Sequence, residues 1–225
     1  MLQKDGKIFL KIVYWGMGGS GKTTILQTLY DLTKEKNRDI IPVTDIQMIA
    51  KDSGATLYFD RGLFHSKKEK EVYYRIFTIA GQKSFVPLRR KVFEKLEGST
   101  DAVIFVVDSQ TMYLEDNIES LLELKSIANN RLIKEIPLIV MLNKQDLENT
   151  IDEEDFKQIL KNEKLWIDEK NKLSIWNPII YRTCALYENQ KDIYRSFHET
   201  ARRATLYQIY GKGNAPNDHD PSILI

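Results

Sequence analysis

Residues 16–23 read Gly16-Met17-Gly18-Gly19-Ser20-Gly21-Lys22-Thr23, and no other stretch restricts the folding of the chain as much. Four glycines among six positions suit neither a helix interior nor a strand interior. The stretch before it, Lys7–Trp15, has the apolar content of a strand, and residues 24–32 after it carry apolar side chains at helical spacing. Strand, glycine loop and helix in that order satisfy G-x-x-x-x-G-K-[ST] in the context that gives the pattern its meaning. A backbone of this kind wraps so that successive N–H groups converge on an oxyanion, and the following helix adds the positive end of its dipole. Gly16, Gly18, Gly19, Ser20, Gly21, Lys22, Thr23 and Thr24 are therefore the expected phosphate contacts. Lys22 is expected to reach the outer phosphates and the Thr23 hydroxyl to ligate the Mg²⁺ that bridges them.

The rest of the chain alternates in kind. Residues 56–64 and Val72–Ile79 read as strands joined by a charged turn, whereas 102–107 and 137–142 are continuous aliphatic runs of strand length, the pattern of parallel strands buried on both faces. Helical spacing recurs around Ile118, Leu121, Leu122 and Ala128, around Phe156, Ile159 and Leu160, and around Ile193, Phe197, Ala201 and Ala204. A further strand is expected over 177–182. The sum is an α/β fold: a mainly parallel six-stranded sheet, one antiparallel edge strand, and five helices on both faces, with ligands bound at the carboxyl ends of the strands. Residues 37–55 and 162–175 read as long loops, residues 1–210 as one domain and 211–225 as a flexible tail.

Composition narrows the partners. With 33 Lys and Arg against 32 Asp and Glu, the net charge of +1 provides no global field for nucleic acid, so a polyanion must bind locally. No apolar run approaches the roughly 20 residues of a membrane-spanning helix. The start Met1-Leu2-Gln3-Lys4-Asp5 lacks the features of a signal peptide. Leu2 is not the glycine of a myristoylation signal, the last residues form no prenylation box, and Cys184 is the single cysteine. A cytoplasmic chain with no membrane anchor is expected.

At the end of the 137–142 strand stands Asn143-Lys144-Gln145-Asp146. An ionised Asp146 offers only acceptors, which match the adjacent N–H donors on the guanine edge and would face an acceptor on adenine. Lys144 can lay its stem along the purine, and Asn143 can tie this loop to the phosphate loop. Thr183, Cys184 and Ala185 follow the last strand, where the Ala185 N–H would meet the guanine oxygen. GTP or GDP with Mg²⁺ is the expected ligand set.

With these motifs the chain, over about residues 7–210, resembles the small GTPase superfamily, a P-loop GTPase fold. It is most similar to the MglA type of bacteria and archaea, related to Arf and Sar. The likeness rests on Lys11-Ile12-Val13-Tyr14-Trp15-Gly16, Gly21-Lys22-Thr23-Thr24, Thr56-Leu57-Tyr58-Phe59-Asp60, Thr78-Ile79-Ala80-Gly81-Gln82 and Val106-Val107-Asp108-Ser109-Gln110. The resemblance implies a GDP/GTP switch whose regulators include an MglB-like partner of the Roadblock fold. It also implies that Thr56 ligates Mg²⁺ and senses the terminal phosphate, that Gly81 senses it through its N–H, and that Gln82, with Lys22, forms the catalytic pair. Two departures stand out. Thr78 takes the place of the usual acidic residue, for which Asp60 on the neighbouring strand is the expected substitute near the metal. Ala55 stands where MglA-type chains place an arginine, so slow hydrolysis without an activating partner is expected. A nucleotide-stabilised scaffold with little hydrolysis is the alternative. Arg89-Arg90-Lys91 reads as a solvated basic helix face, and His65, His198 and His219 are too scattered for a metal cluster.

Overall fold

The structure is a computed structural model that describes residues 1–49, 59–81, 85–94, 96 and 98–216. Among the described residues nine strands form one sheet: β1 (Leu2–Lys4), β2 (Lys7–Trp15), β3 (Ile40–Pro42), β4 (Gln47–Ile49), β5 (Phe59–Ser66), β6 (Val72–Ile79), β7 (Ala102–Asp108), β8 (Leu138–Asn143) and β9 (Ile179–Arg182). Five α-helices connect them: α1 (Lys22–Thr33), α2 (Val86–Glu94), α3 (Leu114–Ile127), α4 (Glu153–Asn162) and α5 (Ile193–Thr205).

The spatial order is β3-β5-β6-β2-β7-β8-β9, and β6, β2, β7, β8 and β9 run parallel. Alternation along these central strands buries apolar side chains on both faces. Leu10, Ile12 and Tyr14 of β2 pack with Ile25, Leu26 and Leu29 of α1 and Phe197 and Ala201 of α5. Val13 and Trp15 face the other way, with Val92 and Phe93 of α2, Leu121 and Leu124 of α3, and Phe156 and Leu160 of α4. That double burial is why β7 and β8 read as continuous aliphatic runs.

The expected six-strand sheet is therefore present, and it is extended by three short strands that correct two details. Residues 37–55, read as a loop, contain β3 and β4, both antiparallel to β5, so β5 is paired on its outer side by strands that run in the same direction as the central ones. β1 pairs antiparallel with the first residues of β2, on the edge that β7 takes further along. Strands of three residues are too short to show a period. They form because β2 and β5 would otherwise present unpaired backbone groups.

Lys11, in the middle of β2, is fully buried. Its ammonium donates to Val92 O, to Leu96 O at 2.7 Å and to Gly98 O at 2.9 Å, capping the carbonyl end of α2, where the helix dipole favours a cation. At the other end of the chain, Ala215 N donates to Lys134 O at 2.6 Å and Trp176 Nε1 to Pro216 O at 2.8 Å. The expected tail thus begins with a segment bonded to the body, and residues 217–225 lie outside the described residues. No helix among the described residues is long and apolar enough to cross a membrane.

Candidate nucleotide site

The glycine loop joins β2 to α1 at the carboxyl edge of the sheet. Gly21 caps α1 in the left-handed region at φ 97°, and a Cβ there would lie 2.4 Å from Asn143 Nδ2, so both backbone and neighbour require glycine. The first turn of α1 carries no acidic side chain, and Thr23 and Thr24 stand exposed on it. Ser20 is buried beneath the loop. Lys22 turns inward and donates to Gly16 O at 2.8 Å, Met17 O at 2.6 Å and Ser20 Oγ at 3.4 Å. These acceptors are all neutral. Burial, followed by the positive charge of Arg89, lowers the Lys22 pKa to about 7. A phosphate beside this ammonium would supply the missing countercharge.

The base loop is tied to the phosphate loop by one bond, Asn143 Nδ2 to Ser20 O at 2.9 Å. Thr183 Oγ1 lies 3.4 Å from Asn143 Oδ1, and Gln145 N donates to Thr183 O at 3.0 Å, which brings the expected base-contact segments together. Thr28 of α1 donates to Ala185 O at 2.5 Å, fixing the third segment from below. Lys144 adopts φ 68°, and its ammonium pairs with Asp108 Oδ2 at 2.6 Å. Asp146 is exposed at the mouth. Cys184 is a buried free thiol whose pKa is raised, first by that burial.

Asp108 closes β7 opposite Asn143 in register. Its N–H donates to Asn117 Oδ1 at 3.0 Å, and Asn117 Nδ2 returns a bond to Asp108 O at 2.8 Å. Asn117 is fully buried in α3. Neither residue stood out in the sequence as a site residue. The available signal was an acid ending a continuous aliphatic run.

At the end of β6, Gly81 lies directly against the phosphate loop. A Cβ on it would sit 2.3 Å from Gly18 N, 2.3 Å from Met17 C and 2.4 Å from Gly16 O. Backbone atoms on all three sides leave room only for hydrogen. Asp60 pairs in register with Thr78, the position at which the usual acid is replaced. Thr56 and Gln82 lie outside the described residues.

The expectation for residues 89–91 is corrected. Arg89 is 4% exposed while Arg90 and Lys91 are exposed, because helical spacing places Arg89 on the stripe of Val92 and Phe93. Its Nε donates to Glu123 Oε1 at 2.9 Å and its Nη1 to Ala80 O at 3.1 Å.

A glycine loop between the central strand and its helix, a base loop tied to it, and a mainly parallel sheet with one side antiparallel define the P-loop fold of small GTPases. The chain belongs to the ADP-ribosylation factor (Arf) family, whose profile matches residues 2–197. It is 29% identical over 166 residues to the mutual gliding-motility protein MglA of Myxococcus xanthus, covering 71% of this chain and 79% of that protein. It is 32% identical over 145 residues to ADP-ribosylation factor-like protein 3 of Chlamydomonas reinhardtii, covering 64% and 67%. Against the signal recognition particle receptor subunit beta of Dictyostelium discoideum it is 25% identical over 202 residues, 88% of this chain and 59% of that one. The resemblance to MglA and Arf read from the motifs is borne out, and the family supports a GTP-binding switch in general terms.

Proposed function

We propose that the chain is a GTP-binding and GTP-hydrolysing switch that cycles between GDP and GTP states, presents a different surface in each, and hydrolyses slowly until a partner assists. The observation that carries this reading is the bond from Asn143 Nδ2 to Ser20 O, which makes a phosphate cradle and a guanine-reading loop parts of one site. Gly16, Gly18, Gly19, Ser20, Gly21, Lys22, Thr23 and Thr24 hold the phosphates. Asn143, Lys144, Asp146, Thr183, Cys184 and Ala185 frame the base.

Mg²⁺ fits the donors available. The exposed Thr23 hydroxyl on the first turn of α1, phosphate oxygens and waters form the hard oxygen set that this ion prefers, and the family resemblance adds Thr56 and Asp60 to it. When bound, the ion neutralises charge on the outer phosphates. Gln82 orients the attacking water, Gly81 offers its N–H to the terminal phosphate and Lys22 stabilises the oxygens being separated. Ala55 supplies no arginine, so an activating partner, an MglB-like protein of the Roadblock fold, either provides one or settles Gln82. The likeness to a signal recognition particle receptor subunit favours a second reading, a scaffold that holds GTP with little turnover.

The test is to identify the nucleotide retained on purification, then measure single-turnover hydrolysis with and without a Roadblock-fold protein. Retained GDP or GTP and a partner-stimulated rate are expected. Equal competition by ATP would refute the guanine assignment, and a rate that no partner raises and that Gln82→Leu leaves unchanged would favour the scaffold.

A further inference from the structure

Arg89 belongs to neither the phosphate loop nor the base loop, yet its side chain reaches the residue before Gly81. The guanidinium is gripped by both oxygens of Glu123 on α3, with Nε to Oε1 at 2.9 Å and Nη2 to Oε2 at 2.5 Å. It lies 5.7 Å from the centre of the Trp15 ring, against the last residue of β2. The remaining edge of the fork, Nη1, donates to Ala80 O at 3.1 Å. This two-sided grip fixes the guanidinium plane in a way a lysine ammonium could not.

The carbonyl of Ala80 and the N–H of Gly81 belong to one planar trans peptide, so they point in opposite directions. Holding the carbonyl on the Arg89 side therefore holds the Gly81 N–H on the other. Gly81 is itself pressed against the backbone of Gly16, Met17 and Gly18, so this peptide lies beside the phosphate loop. We infer that Arg89, clamped by Glu123, is a positioning residue that orients the Ala80–Gly81 peptide and so sets how strongly the chain distinguishes a nucleoside triphosphate from a diphosphate. The inference rests on the nucleotide-binding reading above and adds to it the part that α3 plays in sensing the terminal phosphate.

A plain brace between α2 and α3 would act differently: its loss would weaken the fold, and with it both nucleotides alike. The experiment uses the full chain with Mg²⁺ and compares affinities for GDP and for a non-hydrolysable GTP analogue in the unmodified protein, Arg89→Gln, Arg89→Lys and Glu123→Gln, with melting temperatures alongside. One oriented donor to a charged oxygen corresponds to about a tenfold change in affinity. Arg89→Gln is expected to lose about that factor for the GTP analogue while GDP binding stays within about twofold. Glu123→Gln, which leaves Arg89 in place but loosens it, is expected to lose less, and Arg89→Lys to recover part of the ratio. Should Arg89→Gln fail to fold, Glu123→Gln and Arg89→Lys decide by the same ratio. Equal weakening of both nucleotides, or an unchanged ratio, overturns the inference while leaving nucleotide binding intact. An unmodified chain that binds neither nucleotide overturns the proposed function, and this inference with it.

Discussion

Asp108→Asn tests whether the base loop is set in advance. In the structure the Asp108 carboxylate is almost wholly buried, with 2% of its side chain exposed, and it holds the ammonium of Lys144, whose side chain is 29% exposed. The amide of asparagine keeps the shape and can still accept from Gln110 N, which bonds Asp108 Oδ1 at 3.2 Å. It removes the charge that pins Lys144. The released lysine must then be ordered each time a base is bound, at a side-chain entropy cost with a ceiling of about 2 kcal/mol. A residual neutral hydrogen bond recovers part of that, so the expected loss is about 1–2 kcal/mol, or roughly 5- to 30-fold in Kd. The loss should fall equally on GDP and GTP, since it acts at the base, and chiefly on the dissociation rate. Displacement of a fluorescent GDP analogue in a stopped-flow instrument measures it. Lys144→Met and the double variant complete a cycle: if Asp108 works through Lys144, adding Asp108→Asn to Lys144→Met costs little more. Full additivity of the two single effects would refute the reasoning.

Lys22→Ala should lose most nucleotide affinity while the empty protein keeps its far-ultraviolet circular dichroism, since the change removes a cation aimed at phosphate; unchanged affinity in a GTP-analogue titration would reject the loop assignment. Gly81→Ala places a Cβ 2.3 Å from loop backbone, about 1 Å inside contact distance, so the end of β6 must back away; affinity for a GTP analogue should fall by at least about tenfold, and a normal value would contradict the close approach. Gln82→Leu should bring single-turnover hydrolysis near background and Ala55→Arg should raise it, and fast turnover indifferent to both would reassign the chemistry. Chelation of Mg²⁺ should speed GDP release by an order of magnitude or more, as judged by the same fluorescent analogue, and no change would remove the ion from the site.

Much of this was legible because the central strands are buried on both faces. Lys7–Trp15 and Val72–Ile79 are read from the sequence with the bounds they have in the structure, since each is a run that no loop would tolerate. The two nucleotide motifs are equally local: eight residues and four residues that carry their geometry with them. What escaped depends on residues far apart in the chain. Lys144 is pinned from 36 residues away by Asp108, and Arg89 is clamped from 34 residues away by Glu123, so no window of sequence contains either pair. Arg89 illustrates the difficulty, because three adjacent basic residues look like a wet surface until the helix is phased by Val92 and Phe93. The short strands β1, β3 and β4 were missed for another reason: they exist to occupy the edges of β2 and β5 and have no periodicity of their own.

The ammonium of Lys11 ties down one end of α2. Its carbonyl bonds hold α2 at Val92 and the chain just after the helix at Leu96 and Gly98, whereas the other end of the helix begins at Val86. Nine residues of helix span about 13 Å, so displacing its first residue by about 1 Å swings the rod by about 4° around that pin. The arc is widest at Val86 and vanishes toward Glu94. A protein that reads the state of the phosphates through α2 would find its leverage on the first turn of the helix, and the buried lysine would be the axle on which that signal turns.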